Sequence, residues 1–205
     1  MNQSFALFGL STSPLELASF ILAAITVLLN IRQTHWAWLF SIISSAMYGV
    51  VFFGARLYGD MGLQLVFIGV SVWGWHLWLH GGAAHQRLNV SRLSVSGWQF
   101  LIAGWLVAFA VLALFLNSFT DTDVPNIDGF LTAGSLIGQV LLSRKKVENW
   151  LVWIVVDLLY VGLYLHKSLY LTAILYALFI LMAIIGMRAW SKAAARPESG
   201  ALAAP

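Results

Sequence analysis

Long apolar stretches separated by short polar connections dominate the pattern of this chain. A helix that crosses the hydrocarbon core of a bilayer needs about 20 mostly apolar residues, within a range of about 17–25. Seven segments of about that length follow one another, at roughly 14–31, 36–54, 60–80, 97–117, 127–143, 148–166 and 169–188. The pattern therefore predicts an all-α membrane protein with seven transmembrane helices.

The connections leave no room for a second, soluble domain. The longest polar stretches are about 81–96 and 118–128, so residues 1–205 are predicted to form a single membrane domain that ends in a tail, 191–205. No Lys or Arg precedes Arg32, and a signal peptide would need a basic segment there. We therefore expect the first apolar stretch to remain as a spanning helix.

An internal repeat emerges when the chain is compared with itself at a shift of 112 residues. The matched pairs include Trp38 with Trp150, Ser45 with Asp157, Gly74 with Gly186, and Trp78 with Trp190. Helices 2–3 thus match helices 6–7, and helix 4 is left as a linker. Because the shift spans four helices, both halves would enter the membrane in the same direction, and a binding site is expected near mid-membrane between them. Chance agreement between aromatic-rich helices is the alternative.

The composition supports a membrane location. Hydrophobic residues make up 60% of the chain and charged residues only 9%, with a mean hydropathy of +0.85, whereas a soluble domain has about 25% charged residues. The sequence contains no cysteine, which excludes disulfides and thiolate metal ligands.

The positions of Lys and Arg predict the orientation, because basic residues favour the cytoplasmic side. Of the 11 basic residues, two fall on one side of the predicted membrane, Arg56 and Lys167. The others fall on the opposite side: Arg32, Arg87, Arg92, Arg144, Lys145, Lys146, Arg188, Lys192 and Arg196. We expect the N-terminus outside and the C-terminal tail in the cytoplasm.

The sixth segment carries the sharpest candidate for chemistry, Asp157. A carboxylate at the centre of a spanning helix costs about 2.5–3.5 kcal/mol to insert, so it usually faces the bundle interior or a cavity. At helical spacing it shares one face with large rings: Trp150, Trp153, Tyr160 and Tyr164. An ionised Asp157 suits a cationic ligand and a protonated one suits a hydroxyl-rich ligand. A structural, hydrogen-bonded acid is the alternative.

Helix 3 supplies a second stripe at helical spacing, which consists of Gln64, Ser71, Trp75 and Trp78. Indole rings stack on flat heterocycles and attract cations. Other tryptophans, such as Trp36, Trp98 and Trp190, are interpreted as interfacial belt residues.

Two amides complete the candidate binding site. Gln139 in helix 5 either contacts a ligand or holds two helices together. Asn149 opens helix 6, where helix capping is the alternative role. No nucleophile–base pair, phosphate loop or metal-ligand spacing accompanies these residues, so we expect neither an enzyme nor a resident cofactor or metal, and no nucleic-acid partner. A membrane-embedded enzyme or assembly factor, and a proton-coupled carrier in which Asp157 titrates, stay as alternatives.

Several of these residues belong to a recognisable pattern. The segment Ser143–Trp153, SRKKVENWLVW, resembles the "RK-x-VENWL-x-W" signature of the Pnu family of bacterial vitamin transporters. Leu57-Tyr58, Leu63-Gln64 and the run Trp73–Trp78 resemble that family's first-repeat pattern. The sequence departs from the family at Asp157 and at Ser44-Ser45, where many members that carry nicotinamide riboside have Asn.

The resemblance implies more than the residues alone. It implies a 3+1+3 parallel-repeat arrangement similar to that of the SWEET sugar transporters, a homotrimer in the bacterial inner membrane, and facilitated diffusion with a cytoplasmic kinase that traps the substrate. It implies substrate contacts at Gln64, Trp75, Trp78, Asn149 and Trp153. Nicotinamide riboside is the expected substrate on family frequency, with thiamine next and riboflavin less favoured, since only the first two have a permanently cationic ring for Asp157.

Overall fold

The computed structural model describes residues 5–7, 10–12, 14–54, 58–82, 85–120, 124–166 and 170–195. Within these ranges the chain forms a short antiparallel hairpin, β1 (Phe5–Leu7) and β2 (Leu10–Thr12), followed by seven helices. The helices are α1 (Pro14–Ile31), α2 (Ala37–Gly54), α3 (Tyr58–His80), α4 (Val95–Phe119), α5 (Pro125–Ser143), α6 (Asn149–His166) and α7 (Tyr170–Ala194).

These helices agree with the predicted segments. The first has the predicted bounds, and α7 continues past the predicted end at 188 to Ala194. The apolar pattern did not predict the hairpin, but the helical class is confirmed for the described residues. Three of the basic residues from which the orientation was predicted lie outside the described residues: Arg56, Lys167 and Arg196. The C-terminal tail beyond residue 195 lies outside them as well.

Four helices in the described part of the chain are long and apolar enough to cross a membrane. They are Met61–His80 within α3, the whole of α4 and of α6, and Ala173–Ala194 within α7. By contrast, α5 carries polar and small residues on a buried face, including Ser135, Gly138 and Gln139. A helix enclosed by other helices can hold such residues because lipid does not contact them.

Each helix from α1 to α7 except α4 packs mainly on its neighbours in the chain, and we refer to α1–α3 as the first group and to α5–α7 as the second. In the first group α2 packs on α1 and α3, and in the second α6 packs on α5 and α7. The groups meet where α3 contacts α5 and where α1 contacts α7, whereas α4 packs on α5. The α4–α5 contact includes the Trp105 indole, which donates to the carbonyl oxygen of Phe130 at 3.2 Å.

The loops that precede α2 and α6 have the same hydrogen bonds at positions 112 residues apart. Gln33 N–H donates to Asn30 O at 3.0 Å, and Lys145 N–H donates to Leu142 O at 3.0 Å. Both Gln33 (φ 55°) and Lys145 (φ 48°) adopt the left-handed conformation, which few residues other than glycine adopt. Two loops with unlike residues thus have one backbone geometry.

Four buried tryptophans form a continuous group, here called the tryptophan cluster: Trp38, Trp78, Trp150 and Trp190. Trp38 meets Trp78 edge-on with centroids 5.4 Å apart, and Trp150 meets Trp190 edge-on at the same distance. Trp78 and Trp190 join the two pairs at 5.9 Å. The prediction that Trp190 is an interfacial residue was wrong, because its side chain is 0% exposed.

Two glycines make room for this cluster. A Cβ atom at Gly74 would lie 2.5 Å from the Trp38 ring, and one at Gly186 would lie 2.6 Å from the Trp150 ring. No real Cβ approaches another heavy atom that closely without displacing it. Each glycine therefore lets a helix lie directly against an indole.

The described basic residues gather at one end of the bundle, here called the basic end. It comprises the loops after α1, α3 and α5 and the end of α7, with Arg32, Arg87, Arg92, Arg144, Lys145, Lys146, Arg188 and Lys192. Two of these loops are joined by backbone hydrogen bonds: Ser91 N–H donates to Lys145 O at 3.1 Å, and Val147 N–H donates to Ser91 O at 3.0 Å.

Candidate functional site

Asp157 lies at the middle of α6 and is almost completely enclosed. Its side chain is 6% exposed, and no hydrogen bond or ion pair to it forms within the described part of the chain. The phenol groups of Tyr160 and Tyr176 lie close enough to interact electrostatically with it. A buried carboxylate is costly unless it is paired or hydrogen-bonded, which makes Asp157 a candidate contact for a ligand.

Three tyrosine rings cluster beyond this acid, toward the end of α6 that lies away from the basic end. Tyr160 and Tyr164 stack at 5.7 Å with planes 14° apart, and Tyr176 of α7 lies 4.9 Å from the first and 5.1 Å from the second. We call Tyr160, Tyr164 and Tyr176 the tyrosine cluster. Tyr160 also contacts the hydroxyl of Ser135 on α5. The result is a wall of π faces and hydroxyls next to a single carboxyl group.

The sequence pattern found two members of this cluster and missed the third. Tyr160 and Tyr164 lie on the predicted stripe of α6, whereas Tyr176 lies in the largely apolar part of α7, where no polar stripe was evident. One signal could have found it: at the 112-residue shift Tyr176 matches Gln64, which was already a candidate. Ser135 had no such signal.

Two predicted binding residues, Trp78 and Trp150, lie in the tryptophan cluster instead of beside Asp157. They are 2% and 3% exposed, and the Trp78 indole donates to the Leu142 carbonyl at 3.1 Å. This bond joins α3 to α5. Trp150 packs edge-on against Trp190 of α7, and its indole nitrogen is buried without a hydrogen-bond partner among the described residues.

Trp153 and Gln139 lie at the contact between α5 and α6. A Cβ at Gly138 would lie 3.0 Å from the Trp153 ring, so the indole rests on the α5 backbone. Gln139, the next residue on α5, is 8% exposed. Trp153 is one helical turn from Asp157, on its basic-end side.

Asn149 occupies the first position of α6 and is 0% exposed. Its Nδ2 donates to Lys146 O at 2.6 Å, while its Oδ1 is buried with no partner in the described part of the chain. The side chain thus binds back to the loop before α6, and its Oδ1 makes no capping bond to the first turn of the helix in the described part of the chain. The unused oxygen still leaves one acceptor available.

The residues of helix 3 separate into different environments. Trp75 lies next to His35 and Trp36 at the basic end, with ring centroids 6.5 and 6.1 Å away. Gln64 instead lines an open groove of about 330 Å³ together with Ser45 and Gly49 of α2. Helical spacing placed Gln64 and Trp75 on one stripe, but they do not lie in one pocket.

The described residues contain no group of three or more His, Asp or Glu side chains that could hold a metal ion. What the arrangement near Asp157 can do is bind: one carboxyl group, several phenol hydroxyls and aromatic faces can hold a flat, polar or cationic ring.

Comparisons with known proteins agree with a transport role. The sequence model of the nicotinamide mononucleotide transporter family matches residues 13–192. The riboflavin/roseoflavin transporter RibM of Streptomyces davaonensis is 27% identical over 195 residues, which cover 92% of this chain and 90% of RibM.

Two further relatives are nicotinamide riboside transporters named PnuC. The Escherichia coli protein is 22% identical over 80% of this chain and 79% of its own length, and the Neisseria mucosa protein is 28% identical over 76% and 63%. The crystal structure of the vitamin B3 transporter PnuC superposes with a TM-score of 0.68 at 24% identity, covering 86% of this chain and 80% of that one. This last similarity shows the fold.

Proposed function

This chain belongs to the nicotinamide mononucleotide transporter family and is a multi-pass membrane transporter, not an enzyme, and from that premise we propose that it imports nicotinamide riboside. The proposed transport is facilitated diffusion, with a cytoplasmic kinase that phosphorylates the vitamin and so prevents its return. Several relatives carry the name nicotinamide riboside transporter, which supports this choice of substrate.

The observation that carries the proposal is the enclosed carboxyl group of Asp157, which has no hydrogen-bond or ion-pair partner among the described residues and lies beside the tyrosine cluster. The pyridinium ring of nicotinamide riboside is a permanent cation and is flat. A carboxylate compensates its charge, and aromatic faces attract it with about 0.5–2 kcal/mol per contact. The proposed contacts are Asp157, Tyr160, Trp153 and Gln139, with Gln64 and Asn149 on the route to them.

Riboflavin is the second candidate substrate, because RibM matches nearly the whole chain. The riboflavin ring is neutral and larger, so Asp157 would serve it as a hydrogen-bonding group for the ribityl hydroxyls. Thiamine has a cationic thiazolium ring, so Asp157 would compensate its charge as it would that of nicotinamide riboside.

We further propose the 3+1+3 parallel-repeat arrangement, similar to that of SWEET transporters, with α1–α3 and α5–α7 as the repeats and α4 as the linker. The equal loop geometry at Gln33 and Lys145 and the paired contacts of the tryptophan cluster support it. In such a transporter the two repeats rock about a site near mid-membrane. A homotrimer in the bacterial inner membrane is part of the same proposal.

The proposed orientation places the basic end in the cytoplasm and the N-terminus outside. Every Lys and Arg that the structure describes lies at that end, which supports this orientation by the positive-inside rule. The substrate would then reach Asp157 from outside, past the tyrosine cluster, and would leave toward the tryptophan cluster.

Uptake by purified protein in proteoliposomes tests the substrate. Labelled nicotinamide riboside, thiamine and riboflavin are each supplied outside, with protein-free liposomes as the blank. Saturable flux of nicotinamide riboside, with weaker or no flux of riboflavin, is expected. Saturable flux of riboflavin alone would replace the substrate, and no flux of any of the three from correctly folded protein would refute the proposal.

Two variants of one residue then test the role of charge. Asp157→Asn keeps the size and removes the charge, so we expect the half-saturating concentration of nicotinamide riboside to rise at least about tenfold, which corresponds to roughly 1.4 kcal/mol. Asp157→Glu keeps the charge and is the matched control, with a smaller rise. Equal half-saturating concentrations for the two variants would mean that the charge at position 157 does not contribute to substrate binding.

A further inference from the structure

A cleft of about 470 Å³ lies at the basic end, outside the proposed transport route. It is formed by the start of α4, the start of α6 and the end of α7. Its lining includes Arg92, Trp98, Glu148, Leu151, Arg188 and Lys192. None of these residues contacts Asp157 or the tyrosine cluster, so the cleft needs a separate explanation.

The lower wall of the cleft is apolar and continues along the outer surface of the bundle. Leu151 is 41% exposed, and Val155 and Leu158 follow it at helical spacing on the same face of α6. On α7, Ile185 and Leu181 form a matching exposed row below Arg188. In a membrane transporter these rows face lipid chains, so the cleft is open toward the bilayer.

The rim of the cleft is cationic. Arg188 and Lys192 are one turn apart on α7, and Arg92 faces them from the loop before α4. Within the described residues these three cations form no ion pair. The one acid of the lining, Glu148, is 8% exposed, and its Oε2 accepts the Leu93 N–H at 3.0 Å. The rim therefore has a surplus of positive charge at the depth of lipid headgroups.

We propose that this cleft binds an anionic phospholipid, with the headgroup phosphate among Arg92, Arg188 and Lys192 and an acyl chain along Leu151 and Ile185. Basic pockets between membrane helices are suited to such headgroups. Trp98, which is 36% exposed at the start of α4, lies where indoles meet the headgroup layer. A free phosphate would match the cations but would leave the apolar wall unused, so the combination favours a lipid.

The proposal is tested on the full-length protein by native mass spectrometry, with phosphatidylglycerol and phosphatidylcholine added at equal concentration. We expect one phosphatidylglycerol to be retained in preference to phosphatidylcholine. Each cation near a membrane surface contributes about fivefold to the attraction of an anionic lipid, so Arg188→Gln/Lys192→Gln should lower the retention roughly tenfold or more.

The matched control is Arg32→Gln/Arg87→Gln, which removes the same charge from exposed positions at the same end of the bundle. It should retain phosphatidylglycerol as the unmodified protein does. Equal loss in both double variants would mean a diffuse charge effect and would overturn the proposal, as would equal retention of the two lipids by the unmodified protein.

Leu151→Asn tests the acyl-chain half independently of the cations, because it replaces an apolar side chain without adding a charge to the cleft. We expect it to lose phosphatidylglycerol retention while circular dichroism stays unchanged, and full retention would overturn the lipid assignment. Inorganic phosphate provides the last comparison. If phosphate displaces phosphatidylglycerol at equal concentration, the cleft is an anion site and not a lipid site.

Discussion

The indole nitrogen of Trp78 donates a hydrogen bond of 3.1 Å to the carbonyl oxygen of Leu142. A second bond matches it 112 residues along the chain, where the Trp190 indole donates to Asn30 O, also at 3.1 Å. The first bond joins α3 to α5, and the second joins α7 to α1. Each bond thus joins a helix of the first group to a helix of the second at the basic end.

Replacing either donor should weaken this junction. For Trp78→Phe and Trp190→Phe, the loss of one interhelical hydrogen bond should lower the free energy of unfolding by about 0.6–1.7 kcal/mol. Thermal unfolding in detergent measures the change. Trp98→Phe is the control, since that ring lies at the surface. A large effect at Trp78 with none at Trp190 would contradict the reciprocal role.

Replacing the glycines beneath the tryptophan cluster should destabilise the protein more than the loss of one indole hydrogen bond. In Gly74→Ala the new methyl group meets the Trp38 ring, and in Gly186→Ala it meets the Trp150 ring. Overpacking of this kind costs about 1–3 kcal/mol, so both variants should have a lower melting temperature, which thermal unfolding measures.

Two other helical glycines are matched controls for that experiment. A Cβ at Gly69 of α3 or at Gly162 of α6 would have no heavy atom within 4 Å. Alanine favours a helix over glycine by roughly 0.5–1 kcal/mol, so Gly69→Ala and Gly162→Ala should keep or raise the melting temperature. A fall in these controls equal to that at Gly74 would show that the close contact is not the cause.

The aromatic ring of Tyr176 should contribute to the affinity for the transported vitamin. Under the proposed function, Tyr176→Leu removes one wall beside Asp157 and should raise the half-saturating vitamin concentration roughly threefold to tenfold, as expected for a lost ring contact of about 0.5–1.5 kcal/mol. Tyr176→Phe keeps the ring and should stay closer to the unmodified protein. Tyr170→Leu changes an exposed tyrosine on the same helix and should have no effect on uptake in proteoliposomes.

Lys145, at the basic end, should make the stability of the folded protein depend on pH. Burial, with a contribution from nearby Arg87, lowers the pKa of Lys145 to about 8 from its usual 10.5. The Trp78 ring face, 4.7 Å from the ammonium group, offsets part of that burial. Between these two pKa values the unfolded chain keeps the proton that the folded chain has lost, so stability should rise as the pH increases.

The measurement is the melting temperature from pH 7 to pH 10. The unmodified protein should gain stability over this range relative to Lys145→Met, which has no proton to lose and should be the more stable of the two at pH 7. Lys192→Met, at an exposed position, should follow the unmodified protein. Parallel pH curves for the unmodified protein and Lys145→Met would contradict the shifted pKa.

The helices themselves were predictable because each requirement is local. A membrane span needs a long apolar run, and polar connections interrupt such runs in the sequence, so the bounds of α1 at Pro14–Ile31 coincide with the prediction. The α7 helix ran farther, to Ala194, because helical backbone continues past the apolar run into residues that favour helix, such as Ala and Lys.

The roles of the tryptophans were not predictable from spacing. Periodicity identifies which residues share a face of one helix, but it does not say which other helix covers that face. Trp190 was predicted to lie at the membrane surface, yet it is buried against Trp78. The glycines that allow this, Gly74 and Gly186, are far apart in sequence, and their effect depends on the packing of α2 on α3 and α6 on α7.

The sequence by itself determined the membrane class, the succession of helices, the 112-residue match and the enclosed acid at Asp157, since these depend on hydrophobicity and on covalent order. The tertiary structure alone decided what surrounds that acid. Tyr176 joins Tyr160 and Tyr164 only because α7 packs on α6, while Trp75 is held at the basic end. Contacts between helices depend on shape matching across the whole bundle, which a pattern along one helix does not contain.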